Sequence, residues 1–199
     1  MRQATVRRRT KETTIIVRLQ VDGRGRTAVA TGIPFLDHML TLLGTHGGLN
    51  LSVKAQGDLE IDVHHTNEDV GLVVGEAFLQ ALGSRRGIRR FGWAYVPMEE
   101  ALARVVLDIS GRPKLLVRDQ RRPKTRLQGS GTTYQWDDLE HWLESFVRTA
   151  KVTVHVDLLA GRDFHHTCEG VFKALGRALY AASRRGSPLR GVPSSKGRL

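Results

Sequence analysis

Two segments of the chain repeat one arrangement of histidine and glutamate. His64-His65-Thr66-Asn67-Glu68 is matched about a hundred residues later by His165-His166-Thr167-Cys168-Glu169, and a further histidine precedes each segment, His38 by 26 residues and His141 by 24. Imidazole nitrogens and carboxylate oxygens in such groups are typical ligands of divalent first-row metals. The doubled set predicts two metal ions, and paired ions usually take part in chemistry.

The spacing predicts how the ligands divide between the two ions. On a helix, Glu68 lies one turn beyond both His64 and His65, so their side chains can converge. Adjacent helical residues point about 100° apart, so we expect each histidine pair to be divided between the ions. About four protein ligands per ion would leave a six-coordinate metal about two open positions. The predicted ligands are His38, His64, His65, Glu68, His141, His165, His166 and Glu169.

The remaining histidines and the single cysteine lie outside this set. We expect His46 in a loop, His155 on the exposed face of a strand, and Cys168 in the core as a small apolar side chain. Because no thiolate accompanies the ligands, a structural zinc site is disfavoured, and Mn, Fe, Zn, Co and Ni all remain possible.

Hydrophobic periodicity places the ligands on elements that recur in the same order. In the first half we predict strands near 14–21 and 49–55, a helix from Pro34 to about Leu43, and a helix from near His65 to Gly83. In the second half we predict strands near 101–109, 114–117 and 152–158, a helix near 139–147, and a helix from near His166. A loop over 118–132 and an irregular tail from Gly186 are also expected.

This order predicts an α+β fold that repeats one unit twice, each a small β-sheet with two helices. Residues 1–90 would form the first half, and residues 91–199 would form the second half with a basic tail. We expect the halves to pack together as one unit, because two short helices cannot cover both faces of a sheet.

Composition limits the class of protein. The chain has 199 residues, 40% of them hydrophobic, and a net charge of +11. It contains neither an apolar run of the roughly 20 residues that span a bilayer nor an apolar leader segment, and one cysteine suits a reducing cytoplasm. The positive charge predicts anionic partners. Because the arginines cluster in loop-like segments without a basic helix, a phosphorylated small molecule is favoured over nucleic acid.

Several motifs occur in the order found in one enzyme family. They are Arg9–Thr13, Thr31–Leu40, His64–Asp69, Asp108–Pro113, Glu140–Trp142, His165–Glu169, Phe172–Leu175 and Pro193–Gly197. From about Thr5 to Leu199 the chain resembles imidazoleglycerol-phosphate dehydratase. The resemblance implies a carbon–oxygen hydro-lyase that converts imidazole glycerol phosphate to imidazole acetol phosphate in histidine biosynthesis.

The resemblance also implies cofactors, partners and residue roles. The family binds two Mn²⁺ ions through ligands from neighbouring subunits of a 24-subunit shell built from trimers, on a fold like the second domain of ribosomal protein S5. The ligands would be the eight residues given above. The implied phosphate-binding residues are Arg90, Arg112, Ser194 and Lys196, with Lys173 nearby. The implied catalytic residues are Glu12, a proton-transferring carboxylate, with His65 and Glu169.

Two alternatives remain at this stage. Leu42 and Glu99 depart from the family's usual residues, so the same site could act on a related phosphorylated imidazole. A basic nucleic-acid-binding module on an S5-like fold could instead use the histidines to hold a structural metal. A structural site is closed, whereas the predicted ligand count leaves positions open, which favours the enzyme.

Overall fold

The computed structural model describes residues 1–118, 127–128, 133–186, 191–197 and 199. The first half contains β1 (Gln3–Arg9), β2 (Thr13–Gln20), β3 (Thr27–Ala30), α1 (Pro34–His46), β4 (Asn50–Gly57) and α2 (His64–Leu82). The second half contains β5 (Phe91–Met98), β6 (Ala101–Asp108), β7 (Lys114–Arg118), β8 (Leu127–Gln128), β9 (Thr133–Tyr134), α3 (Trp136–Ala150), β10 (Thr153–Ala160) and α4 (Phe164–Ser183).

The two halves have the same topology. Their sheets have the strand orders β1-β2-β4-β3 and β5-β6-β10-β7. In each sheet an antiparallel hairpin opens the order, and the last strand runs parallel to its neighbour. The short pair β8–β9 is the only strand pair, among the described residues, without a counterpart in the first half. The predicted α+β fold with two similar halves is confirmed.

Five strands were not predicted. Two of them, β8 and β9, have only two residues each, and β8 lies within the expected loop at 118–132. The other three, β1, β3 and β5, lack an alternation of large apolar and polar residues. β1 contains one buried residue, Val6, among charged and polar neighbours, and β3 has only four residues. In β5 the large side chains of Phe91, Trp93 and Tyr95 are exposed, while the small alternate residues are buried. A prediction that the large apolar side chains of β5 are buried would therefore place the wrong face of this strand against the core.

The four helices lie between the two sheets. Each sheet is covered on one face by the helices of its own half, and across the middle α2 packs on α3 and α1 packs on α4. The backbones of α1 and α4 approach closely, because a Cβ added to Gly176 of α4 would lie 2.7 Å from the Leu43 carbonyl oxygen of α1. A hydrogen bond of 2.7 Å from Thr149 Oγ1 to the Leu72 carbonyl also joins α3 to α2. The expected packing between halves is thus present.

Several local expectations can be compared with the structure. Cys168 is buried, as predicted. His46 is not in a loop, because α1 continues to this residue before Gly47 and Gly48, where φ is +60°, end the helix. His155 is half-buried on β10, with Nδ1 3.4 Å from Arg118 Nη2. The expected loop at 118–132 and part of the tail lie mostly outside the described residues.

None of the helices in the described part of the chain has the length and apolar character needed to cross a membrane.

Replacing Gly75 by alanine is expected to destabilise the fold by about 1–3 kcal/mol. The added Cβ would lie 2.4 Å from the Phe146 carbonyl oxygen and 2.3 Å from Thr149 Oγ1, so α2 and α3 would have to separate. Urea unfolding measures the loss. Glu76→Ala, at the exposed position next along α2, is the control and should change the free energy of unfolding by less than about 0.5 kcal/mol. Equal midpoints for the two variants would contradict the prediction.

Candidate metal centre

One group of ligands joins α1 of the first half to α4 of the second. Nε2 of His38 and Nε2 of His165 lie 2.8 Å and 3.0 Å from the same atom, Oε1 of Glu169. His165 and Glu169 are four residues apart on α4 and therefore share a face of the helix. We call these three residues the Glu169 cluster.

The second group is the reciprocal of the first, because it joins α2 of the first half to α3 of the second. The imidazole rings of His64 and His141 have their centroids 4.4 Å apart, and Nε2 of His141 lies 3.9 Å from Oε2 of Glu68. Oε1 of Glu68 accepts a hydrogen bond of 2.7 Å from Arg148. We call His64, Glu68 and His141 the Glu68 cluster.

Both clusters have a donor set suited to a divalent metal. In each, two imidazole nitrogens and one carboxylate oxygen lie within 4.8 Å of one another. Two imidazoles with one carboxylate bind first-row divalent ions and leave coordination positions open. His64 and His165 each belong to one of the two clusters, whereas His65 belongs to no such group and His166 forms a third possible metal-binding group with Glu99 and Glu100. The division of each pair between two ions stays a prediction. The predicted four ligands per ion are not reached, since each cluster supplies three.

The second histidine of each pair contacts a carboxylate instead. Nδ1 of His65 lies 2.9 Å from Oδ2 of Asp58, and its Nε2 lies 4.0 Å from Oε1 of Glu12. Nδ1 of His166 lies 2.9 Å from Oε2 of Glu100. We call His65 and His166 the outlying histidines.

Ionised carboxylates dominate the electrostatics of these groups. Burial raises the pKa of Glu169, but hydrogen bonds from Lys173, His38 and His165 outweigh it and hold the pKa at about 2. Burial likewise opposes ionisation of Glu68, and the hydrogen bond from Arg148 leaves its pKa below the usual value. Both carboxylates therefore stay charged at neutral pH and can bind a cation.

The hydrogen bonds between the outlying histidines and their carboxylates favour the charged forms of these groups. A hydrogen bond from the backbone N–H of Asp163, followed by that from His166, lowers the pKa of Glu100 to about 2. The hydrogen bond to Asp58 raises the pKa of His65, and that to Glu100 raises the pKa of His166.

The residues implied for phosphate binding come from segments that meet at one end of the second sheet. Arg90 donates through Nε and Nη2 to both oxygens of Asp108, at 2.7 and 3.0 Å, and through Nη1 to the Pro193 carbonyl at 2.9 Å. The segment that carries Ser194 and Lys196 is thereby attached beside β5.

Arg112 lies next to the same tail. A Cβ on the preceding Gly111, where φ is +73°, would lie 2.5 Å from the carbonyl carbon of Leu199, so the chain terminus packs against this turn. Arg112 and Lys196 are exposed and Ser194 is half-buried. Cations and a hydroxyl in this arrangement can bind an anion.

Lys173, which the family resemblance implies near the phosphate, contacts the Glu169 cluster. Its Nζ lies 2.5 Å from Oε2 of Glu169 and 3.2 Å from Sδ of Met98. Since the side chain is only 15% exposed, the ammonium group serves the Glu169 cluster. Leu42, which departs from the family's usual residue at this position, packs against the core.

A cleft of about 900 Å³ borders the Glu68 cluster at His64 and His141. Six carboxylate residues line it, namely Glu60, Asp62, Asp137, Asp138, Glu140 and Glu144. Burial raises the pKa of Asp138. This lining is unfavourable for a phosphate group and favourable for cations.

Three carboxylates of the site were missed by the sequence analysis. Asp58, Glu100 and Asp108 hold His65, His166 and Arg90, respectively. No local spacing identifies Glu100, which is 66 residues from its histidine. Asp58 lies seven residues before His65, and a functional role for it could have been inferred only from its position just before the histidine pair.

The chain was compared with known proteins. A family model described as imidazoleglycerol-phosphate dehydratase matches residues 31–179. The chain is 50% identical to the imidazoleglycerol-phosphate dehydratase of Aromatoleum aromaticum and 49% identical to that of Thermoanaerobacter pseudethanolicus, with 100% of both chains covered in each case. Solved structures of the same enzyme are also similar. That from Staphylococcus aureus has a TM-score of 0.80 at 35% identity, covering 92% of this chain and 99% of that one. That from Pyrococcus furiosus, in complex with (S)-C348, has a TM-score of 0.81 at 34% identity, covering 98% and 100%.

Replacing Lys173 by methionine is expected to lower the free energy of unfolding of chelator-treated protein at pH 7 by about 1.5–3 kcal/mol, because Glu169 loses a hydrogen bond from a charged donor. The folded-state pKa of Glu169 is about 2 against a usual 4.5. Its stabilising effect is therefore complete above the usual value and is lost as the pH falls towards the folded-state value.

Urea unfolding of wild type and variant at a series of pH values measures this difference, which should shrink as the solution becomes more acidic than about pH 4.5. Arg177→Met removes an exposed cation one turn further along α4 and is the control. The same pH dependence in both variants would rule out a specific effect of Lys173 on Glu169.

Proposed function

Because this chain belongs to the imidazoleglycerol-phosphate dehydratase family, we propose that it removes water from imidazole glycerol phosphate with two divalent metal ions, giving imidazole acetol phosphate. It is a hydro-lyase, and the reaction is a step of histidine biosynthesis. The observation that carries the metal part of the proposal is the convergence of His38 Nε2 and His165 Nε2 on one oxygen of Glu169, with a reciprocal group at Glu68.

We assign one ion to each cluster. His38, His165 and Glu169 would hold one, and His64, Glu68 and His141 would hold the other. Nitrogen and oxygen donors without a thiolate suit Mn²⁺, which we propose as the native ion. When bound, the two ions supply Lewis acidity to the imidazole nitrogens of the substrate and to its departing hydroxyl.

Glu12 is the proposed proton-transfer group. Its carboxylate is about half exposed and its Oε1 lies 4.0 Å from Nε2 of His65. The hydrogen that must leave is on a carbon without an adjacent carbonyl, so a positioned base is needed to remove it. Oε1 of Glu12 can accept this proton and release it to water, because the turn between β1 and β2 leaves it accessible.

The substrate phosphate is assigned to Arg90, Arg112, Ser194 and Lys196. Asp108 fixes the guanidinium plane of Arg90, and the hydrogen bond from Arg90 to Pro193 brings the tail with Ser194 into place. Holding the phosphate at fixed cations orients the imidazole end of the substrate. Lys173 is assigned to the orientation of Glu169 instead.

We further propose that each site is completed by a second copy of the chain. Each cluster holds three candidate ligands, and the outlying histidines lie apart from both clusters. The carboxylate partners of these histidines contact Nδ1, so they leave Nε2 available to a metal ion. A neighbouring copy that supplies an outlying histidine would bring each ion to four protein ligands. The acidic cleft beside the Glu68 cluster also suits a basic surface better than a free phosphate.

The assembly that we propose is the trimer-based shell of 24 subunits that the family resemblance implies. The proposed location is the cytoplasm, which is supported by a single, buried, unpaired cysteine.

Chelation of metal is expected to abolish the conversion of imidazole glycerol phosphate to the enolisable ketone, and added Mn²⁺ should restore it. His64→Ala should stay inactive after Mn²⁺ addition, because the Glu68 cluster loses a ligand. His155→Ala, on β10 and outside both clusters, is the control and should keep its activity. Full activity in protein shown to be free of metal would refute the metal part of the proposal.

An assembly mixed from two inactive variants is expected to regain activity. Glu169→Gln damages the Glu169 cluster, and His65→Ala removes an outlying histidine. If one copy supplies the cluster and another the imidazole, about one quarter of the sites in a random one-to-one mixture have both groups intact.

The two variants are co-expressed with different tags, isolated by two successive affinity steps and assayed for the ketone, with assemblies of each variant alone as controls. No recovery in the mixed assembly would mean that the complete site lies within one chain.

A further inference from the structure

The outlying histidines share one feature, which is a carboxylate on Nδ1. We propose that Asp58 and Glu100 are positioning residues that fix the ring orientation and tautomer of His65 and His166, so that each ring carries its proton on Nδ1 and presents the Nε2 lone pair. This proposal rests on the proposed function in one respect only, namely that Nε2 binds a metal ion. The tautomer itself is a property of the metal-free chain.

Asp58 lies directly after β4 and is largely buried. Its Oδ2 accepts from Nδ1 of His65 at 2.9 Å, and its side chain is 14% exposed. The other oxygen, Oδ1, is buried and has no hydrogen-bond partner among the described residues. A buried carboxylate oxygen without a donor costs free energy. Stability therefore gives no reason for an aspartate at this position, whereas orientation of the imidazole does.

Glu100 lies in the turn between β5 and β6 and is held at both oxygens. Oε1 accepts from the backbone N–H of Asp163 at 3.0 Å and of Arg162 at 3.3 Å, and Oε2 accepts from Nδ1 of His166 at 2.9 Å. Asp163 in turn caps α4 by accepting from the backbone N–H of His166. The carboxylate, the start of the helix and the imidazole thus form one connected unit.

These contacts determine which ring nitrogen can act as a ligand. A neutral imidazole has one N–H and one lone pair, so a carboxylate that accepts from Nδ1 leaves the lone pair on Nε2. A carboxylate on the distant nitrogen also makes the imidazole a stronger ligand and holds its plane. The clusters likewise use Nε2, at His38, His141 and His165. All five rings therefore offer the same atom.

The two carboxylates do not come from equivalent positions of the repeat. Asp58 follows β4, whose counterpart in the second half is β10, whereas Glu100 is in the β5–β6 turn, whose counterpart carries Glu12. The halves therefore reach the same imidazole geometry from different elements. Inheritance from a duplicated unit does not explain this agreement, and a shared requirement at the histidine does.

The test uses full-length variants prepared without metal. Asp58→Ala and Glu100→Ala remove the acceptor, whereas Asp58→Asn and Glu100→Gln keep an oxygen that can accept from Nδ1. Solid-state ¹⁵N NMR of histidine-labelled protein at alkaline pH, where the imidazole rings are neutral, gives the tautomer, and equilibrium dialysis with Mn²⁺ gives the affinity. Glu76→Ala removes an exposed carboxylate of α2 that lies outside both clusters and outside the acidic cleft, and is the control.

The alanine variants are expected to lose the Nδ1–H signal of one histidine each and to bind Mn²⁺ about 10–100-fold more weakly. The amide variants should keep the tautomer and bind within a few-fold of wild type, as should Glu76→Ala. An unchanged tautomer in the alanine variants, or its loss in the amide variants, would overturn the proposal. Because the NMR measurement involves no metal, this outcome is independent of whether the proposed reaction is correct.

Discussion

The close contact between helices of opposite halves is the constraint on which the site depends. Glycines at the crossings, such as Gly75 against α3 and Gly176 against α1, let the backbones approach so closely that no side chain could fit between them. This contact places His38 of one half beside α4 of the other, and His141 beside α2. A cluster made within one half would lack its third ligand, so the helix packing and the donor sets form together.

Charge is distributed unevenly in this basic protein. The net charge is +11, yet the histidines that could bind metal are surrounded by carboxylates. Lys173 and Arg148 each pair with the glutamate of one cluster, which keeps both carboxylates ionised without metal. The arginines and lysine suited to phosphate are grouped at the far end of β5 and in the tail. Separate cationic and anionic regions suit a substrate with a phosphate at one end and a metal-binding imidazole at the other.

The duplicated topology has been used differently in its two halves. The β1–β2 turn carries Glu12, which is accessible and whose Oε1 lies 4.0 Å from Nε2 of His65. The β5–β6 turn carries Glu100, which accepts hydrogen bonds from three donors. The same position therefore provides a carboxylate free to move a proton in one half and a fixed one in the other. In the first half Asp58 takes over the task of holding the imidazole. This division leaves Glu12 available for the proton transfer that we propose.

The sequence by itself determined the types of candidate metal ligand, their duplication and most of the elements that carry them. These features depend on local periodicity, such as the i and i+4 positions of His64 and Glu68, and the α+β repeat follows from the same patterns. Strands β1 and β5 escaped prediction because an edge strand and an outward aromatic face give no apolar alternation. Only the tertiary structure decided that the clusters cross between halves, that Lys173 faces Glu169, and that His65 and His166 stand apart. Contacts such as His38 to Glu169, 131 residues apart, arise from how helices pack, and no spacing along the chain encodes them.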